Sequence, residues 1–451
     1  MVRRGGDERL KELNSIDARN FKLCAQLTTK HTLEEYLGNH PLLLSIFKNY
    51  RAAKFDELTL FYVFMMSLPH WALESKLYNR DTHEYTTVKF LAIIRGESVC
   101  NKSGYMKRIR EACLFIERYF REMFIDDTDG KFKTTMIESL STAKLISDLE
   151  TSSKFISSDE ETPLNNIDFF DPQSKEAQHN QTIVISGFNG IYLLLRGTMM
   201  YAKVIRDRSL SMLAPTTGLY ERLMYWCISK DNFVTETVAL NNSLASMEYL
   251  YIIRILIGFR LYQLNDDAYH YLKPITDGLR MNETPIEIKS KPSFYNRRDL
   301  AVERRSADLI ERLAMMFQTL FDIETILKDI KDIQFSTIKR VVYEQFKEKI
   351  CTTFYKNDDA GTVNDSIIDY SSGDDIKEYD EVRITSIPEA PKKSLKISLE
   401  AAQTAVRFYD DILFPTSLQL FNCQPDSQQN MLKNNENERK ILDLPFNMFT
   451  T

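Results

Sequence analysis

The chain has 451 residues, of which 43% are hydrophobic and 27% charged, and its formal net charge is −6. This composition predicts a folded protein with a sizeable core and excludes the intrinsically disordered class. Only 14 Gly and 13 Pro interrupt the chain, which favours long helices because many-stranded β architectures need frequent turns. The sequence therefore predicts an all-α fold: one large irregular helical domain with two polar loop insertions and an acidic linker.

The negative charge is concentrated in residues 357–390, which carry ten acidic and two basic residues, so the rest of the chain has a net charge of +2. Because the rest of the chain is nearly neutral, the sequence argues against an extended nucleic-acid-binding surface, which needs a concentrated basic face. The most apolar run, residues 247–264, contains Arg254 and Arg260. Charges at that depth are costly in a bilayer, so this run predicts a core helix rather than a membrane span.

Helix signals follow one another along the first half of the chain. Thr32 and Glu35 form a capping-box pattern, and Asp56 is placed to cap an apolar helix over residues 58–68. Beyond Ser103, apolar residues recur at three- and four-residue spacing, which predicts an amphipathic helix. Residues 188–213 predict the central packing element, an apolar segment that ends as an amphipathic helix carrying Arg206 and Arg208.

The second half continues the helical pattern, with helices predicted over residues 242–264, 299–327 and 338–355. Polar, Pro-containing composition predicts a surface loop at residues 152–181 and a second irregular region at residues 281–296. The predicted organisation is a flexible tail at 1–20, a helical regulatory domain at 21–355 with a surface insertion at 152–181, an acidic disordered linker at 356–397, a closing helix at 398–423 and a flexible tail at 424–451.

The sequence lacks the common catalytic patterns: G-x-S-x-G, G-x-x-x-x-G-K, G-x-G-x-x-G and H-E-x-x-H are all missing. The six histidines and six cysteines show no metal-ligand spacing. We therefore predict no enzymatic activity, no cofactor and no metal. One basic cluster, Arg297, Arg298, Arg304 and Arg305, is either a phosphate- or partner-binding patch or a solvated helix face.

Two short motifs carry a family resemblance. Leu193-Leu194-Leu195-Arg196-Gly197 and His40-Pro41-Leu42-Leu43 resemble elements of the regulatory domain of fungal binuclear zinc-cluster transcription factors. The chain lacks the six-cysteine zinc cluster itself, so DNA is expected to be reached only through a module outside this chain. The resemblance implies a helical, often dimeric regulatory domain that takes a small effector between its helices.

From this resemblance we predict a transcriptional regulatory domain in the nucleus. It is expected to act through contacts with the transcription machinery or other regulators, to form a homodimer, and to bind a small apolar effector. The alternative is a non-enzymatic helical scaffold or assembly subunit of a chromatin or kinetochore complex. The candidate effector pocket or core is Phe188, Tyr192, Leu195, Arg196, Met199 and Met200, and the candidate partner contacts are Ile367, Ile368 and Tyr370.

Overall fold

The fold was taken from a computed structural model, which describes most of the chain. The described residues are 3–97, 100–125, 130, 132–138, 141–158, 166–167, 169, 174–197, 202–215, 223–232, 234–235, 238–281, 297–335, 337–355 and 394–420.

A five-stranded parallel sheet forms the centre of the fold. Its strands are β3 (Leu91–Gly96), β4 (Met136–Ile137), β5 (Lys154–Ser157), β8 (Leu210–Pro215) and β9 (Met224–Ile228). They lie in the order β4-β5-β8-β3-β9, and every neighbouring pair is parallel. Because parallel sheets need crossover connections, their strands are covered by helices and are buried on both faces.

Helices surround this sheet and join it to the rest of the chain. They are α1 (Arg3–Lys30), α2 (Glu34–Leu37), α3 (Pro41–Asn49), α4 (Glu57–Ser67), α5 (Lys102–Tyr119), α6 (Thr142–Thr151), α7 (Lys175–Asn189), α8 (Met247–Ile257), α9 (Asp266–Met281), α10 (Arg297–Leu327), α11 (Arg340–Ile350), α12 (Leu399–Phe408) and α13 (Phe414–Leu420). Helix α4 packs on β8 and β9, and α5 packs on β3 and β8. The Tyr62 ring of α4 stacks on Trp226 of β9 with centroids 4.6 Å apart.

Two smaller β structures lie outside the parallel sheet. A mixed four-stranded sheet has the order β11 (Leu395–Ile397), β10 (Leu261–Leu264), β1 (Lys76–Tyr78) and β2 (Tyr85–Thr87). An antiparallel hairpin joins β6 (Ile191–Gly197) to β7 (Ala202–Arg208). Among the residues described above, no helix has both the length and the apolarity that crossing a membrane requires.

The prediction of an all-α fold was wrong, because the chain is a mixed α/β protein. Two physical reasons explain the error. Parallel strands are connected by helices, so a sheet of this kind needs few Gly or Pro turns. Strands buried on both faces also lack the alternation that marks a half-exposed strand. Residues 90–94, which lead into and form most of β3, are all completely buried.

The central segment shows the same error locally. The amphipathic helix predicted within residues 188–213 is wrong, since strands β6, β7 and β8 occupy residues 191–197, 202–208 and 210–215. Helix α7 ends at Asn189, and Gly190 follows with a φ of 86°, a left-handed value that suits glycine. The helix predicted over 242–264 is likewise shorter, because Gly258, with a φ of 77°, separates α8 from β10.

Several helix predictions are confirmed. The helix predicted over 299–327 corresponds to α10, and Asp56 caps α4 by accepting a hydrogen bond from the Thr59 amide at 2.8 Å.

Three segments predicted to be loop, tail or linker contain regular structure. The predicted surface insertion at 152–181 contains the buried strand β5 and the start of α7. The predicted tail at 1–20 lies mostly in α1, and the predicted linker at 356–397 ends in β11.

Candidate functional site

The connection from β3 to α5 has an unusual sequence, Gly96-Glu97-Ser98-Val99-Cys100-Asn101-Lys102-Ser103. Strand β3 ends at Gly96 and helix α5 begins at Lys102; Ser98 and Val99 are outside the described residues. The pattern G-x-x-x-x-N-K-S differs at one position from the phosphate-binding pattern G-x-x-x-x-G-K-[ST]. That pattern is meaningful only between a strand and a helix, which is where this segment lies.

Asn101 stands where the phosphate-binding pattern has its second glycine. Its backbone is left-handed, with φ 56° and ψ 26°. Most residues with a Cβ avoid this conformation, but Asn adopts it more readily than other non-glycine residues. The substitution therefore changes the side chain at this position while the backbone keeps a conformation that glycine normally supplies.

Gly96, the first residue of the pattern, is closely surrounded. A Cβ added there would lie 2.6 Å from Cγ1 and 3.0 Å from the carbonyl oxygen of Ile228, and 3.2 Å from Cδ of Lys102. The last of these distances shows that the Lys102 side chain, at the start of α5, reaches the end of β3. The aliphatic part of the Lys102 side chain therefore lies next to the first residue of the pattern.

The first turn of α5 is suited to an anion. The helix runs for 18 residues and has no acidic side chain in its first turn. The amides of a first helical turn lack the usual partners four residues earlier in the helix, and the helix dipole is positive at that end. Here the Gly104 amide donates to the Asn101 carbonyl at 2.9 Å, so the amides considered for an anion are those of Lys102 and Ser103. Backbone amides, Lys102 and the Ser103 hydroxyl are thus the groups that this loop can offer to phosphate oxygens and a magnesium ion.

The position of the loop in the sheet also fits ligand binding. Strand β3 lies between β8 and β9, and the chain leaves β3 to build the strands on one side before adding β9 on the other. In open parallel sheets, ligands bind outside the carboxyl ends of the strands at such a change of direction. The loop after β3 occupies that point.

A buried arginine, paired with a half-exposed aspartate, lies immediately before the loop. Burial raises the pKa of the Cys100 thiol, which lies within the loop. Immediately before the loop, the buried Arg95 guanidinium contacts both carboxylate oxygens of Asp17 in α1, at 3.2 and 2.8 Å. A bidentate contact of this kind is geometrically specific, so it fixes the residue that precedes Gly96.

Of the six predicted effector residues, Phe188 is the one whose side chain the structure describes. Phe188 is 6% exposed at the end of α7, and Arg312 of α10 lies over its ring at 4.2 Å. An open cleft of about 260 Å³ beside Phe188 is lined mostly by polar residues, namely Asn189, Arg305, Asp308 and Arg312, together with Leu309.

The other predicted site residues are only partly covered by the structure. Tyr192, Leu195 and Arg196 lie on β6, for which only the backbone is described. Met199, Met200, Ile367, Ile368 and Tyr370 lie outside the described residues. Of the arginine cluster, Arg305 lines the cleft, whereas the side chains of Arg297, Arg298 and Arg304 are not described.

Sequence reasoning missed the β3–α5 loop because it required glycine at the sixth position of the pattern. The signal was nevertheless present: an apolar run ends at Gly96, and Lys102-Ser103 follow at the correct spacing. Comparisons with protein-family models and with curated proteins found no match for this chain. The interpretation of the site therefore depends on its sequence and geometry.

Proposed function

We propose that this protein binds a nucleoside triphosphate, together with Mg²⁺, at the loop Gly96–Ser103. The observation that carries the proposal is the combined geometry of two residues. Asn101 is left-handed between a buried parallel strand and a helix, and the side chain of the adjacent Lys102 reaches Gly96. This strand–loop–helix arrangement is the structural context in which the G-x-x-x-x-G-K-[ST] pattern holds phosphates.

Each residue of the loop has a distinct expected role. Backbone amides of the loop and of the first turn of α5 cradle phosphate oxygens, and Lys102 provides a positive charge to them. The Ser103 hydroxyl is the expected protein ligand of Mg²⁺, which neutralises part of the phosphate charge when bound.

A second source of Mg²⁺ ligands is expected after β5. Nucleotide-binding folds of this type also use an Asp for the metal ion. In sequence, Asp159 and Glu160 directly follow Ser158, the last described residue after β5; both are outside the described residues. Strand β5 is separated from β3 only by β8, and its carboxyl end faces the same edge of the sheet. From its position in the sequence directly after this strand, we infer that Asp159 is the acidic residue of the site.

The proposal is tested by measuring ATP binding to the full chain by calorimetry in the presence of Mg²⁺. Wild type is expected to bind saturably, and Lys102→Ala to bind about 10- to 150-fold more weakly, since a hydrogen bond to a charged group contributes roughly 1.5–3 kcal/mol. Lys107→Ala is the matched control, because Lys107 lies in the same helix, is 66% exposed and pairs with Glu111.

Two outcomes would contradict the proposal. One is the absence of saturable binding of either ATP or GTP to a wild-type protein whose circular dichroism shows it to be folded. The other is an equal loss of affinity in Lys102→Ala and Lys107→Ala, which would indicate a general electrostatic effect rather than a site at the loop.

The regulatory role expected from Leu193–Gly197 stays a separate proposal. It comprises a nuclear transcriptional regulatory domain that acts through protein contacts, with a homodimer and a small apolar effector as further expectations. The alternative, an assembly subunit of a chromatin or kinetochore complex, is compatible with nucleotide binding. Purification of the native protein with its partners distinguishes these two hypotheses. A transcriptional regulator should be recovered with transcription machinery or other regulators, and an assembly subunit with a chromatin or kinetochore complex.

A further inference from the structure

Three potential metal ligands meet where the two ends of the described chain come together. His31 directly follows α1, Glu35 lies in α2, and Asp411 lies in the π-helical turn Tyr409–Leu413 between α12 and α13. One ligand atom from each residue can be chosen so that all three lie within 4.8 Å of one another. The closest pair is His31 Nδ1 and Glu35 Oε2, at 2.8 Å.

Neighbouring groups orient both carboxylates. The Thr32 amide and hydroxyl donate to Oε1 of Glu35 at 2.8 and 3.2 Å, which leaves Oε2 directed at His31. The Tyr36 hydroxyl donates to Oδ2 of Asp411 at 3.3 Å. Hydrogen bonds of this kind hold the ligands of natural metal sites in place and raise their affinity.

We propose that His31, Glu35 and Asp411 form a binding site for a late first-row divalent cation of the Zn²⁺ class, with water completing the coordination. One imidazole nitrogen and two carboxylate oxygens are ligands that Zn²⁺ accepts at about 2.0–2.2 Å. An imidazole ligand disfavours Mg²⁺ and Ca²⁺, which take oxygen ligands. The cation would replace the proton that the His31–Glu35 contact requires. Binding would draw in the three ligand atoms, which now lie within 4.8 Å of one another, to these bond lengths.

The site would connect segments that are far apart in sequence. The hydrogen-bonded residues Tyr36 and Asp411 are separated by 375 positions, and Tyr36 packs edge-on against Phe408 of α12 with centroids 5.2 Å apart. Linking distant segments removes much conformational freedom from the unfolded chain. Bound metal is therefore expected to act as a clip between the start of the fold and its C-terminal helices.

The test is calorimetric titration of the chelator-treated full chain with ZnCl₂ alone, with MgCl₂ and CaCl₂ as comparison titrations. One equivalent of Zn²⁺ is expected to bind and to raise the melting temperature, whereas Mg²⁺ and Ca²⁺ do neither. His31→Ala and Asp411→Asn are each expected to weaken Zn²⁺ binding at least about tenfold, in line with the loss of a metal ligand.

The matched control is His270→Ala, which removes an exposed histidine of α9 and should leave Zn²⁺ affinity unchanged. Asp411→Asn retains an acceptor for Tyr36, so its metal-free melting temperature should stay close to wild type and show that it folds. Zn²⁺ affinity that is the same in wild type, His31→Ala and Asp411→Asn would overturn the proposal, as would equally tight binding of Mg²⁺. The site is independent of the nucleotide loop, so either can fail alone.

Discussion

Gly96→Ala tests whether the end of β3 is shaped for close contact with the Lys102 side chain. The added methyl group would meet Cγ1 of Ile228 at 2.6 Å and its carbonyl oxygen at 3.0 Å, as well as Cδ of Lys102 at 3.2 Å. Ile228 pairs with Gly96 in the β3–β9 ladder, so its carbonyl cannot move without disturbing the strands. Overpacking of this kind costs about 1–3 kcal/mol. Lys102 must also move, so we expect ATP affinity to fall about tenfold or more.

Gly278→Ala is the matched control for this prediction. Gly278 lies in α9, and a Cβ added there meets nothing within 4 Å. Alanine should therefore stabilise that helix by about 0.5–1 kcal/mol and leave ATP affinity unchanged. Urea denaturation at constant temperature, with the slope of each transition compared, measures both stabilities. Stability changes of the same sign in the two variants, or unchanged ATP affinity in Gly96→Ala, would refute the reasoning about the loop.

Two further predictions concern carboxylates. Asp159→Asn should shift the Mg²⁺ concentration needed for ATP binding upwards by about tenfold, because it replaces a charged metal ligand; an unchanged Mg²⁺ titration would remove Asp159 from the site. Burial raises the pKa of Glu324, but hydrogen bonding and charge from His40 outweigh it, so the net pKa lies below the ordinary 4.5. This stabilisation is present above the unfolded-state pKa and is lost as pH falls through the lower folded-state pKa. Glu324→Gln should therefore reduce the loss of stability measured by urea denaturation below about pH 4.5.

The parts of the fold that the sequence predicted well are those governed by local rules. Helix α10 follows from its apolar spacing, and the start of α4 follows from Asp56 as a capping residue. The parallel sheet could not be predicted in the same way, because a strand buried on both faces and a short buried helix have the same apolar composition. The order of the strands in the sheet depends on the crossover connections between them. No local sequence pattern predicts the course of these connections.

The candidate metal site illustrates the same limit. The spacing of His31 and Glu35 puts them close together around the start of α2, and that much is visible in the sequence. Asp411 joins them only because α12 packs against α10 and near α2, a tertiary contact between distant segments. A search for ligand spacing along the chain therefore finds two of the three donors and cannot find the third.

The two glycine positions of the phosphate-binding pattern have different physical requirements, and this explains why the loop was missed. At Gly96 the requirement is space, since a Cβ would overlap Cγ1 of Ile228 at 2.6 Å and would crowd the Ile228 carbonyl oxygen and the Lys102 side chain. At Asn101 the requirement is a left-handed backbone, which Asn also tolerates. Asn at the second position is therefore compatible with the backbone conformation there, whereas a side chain at the first position would be crowded. The segment does not match the pattern by residue identity. It does match the pattern's two structural requirements, which are space at Gly96 and a left-handed backbone at Asn101.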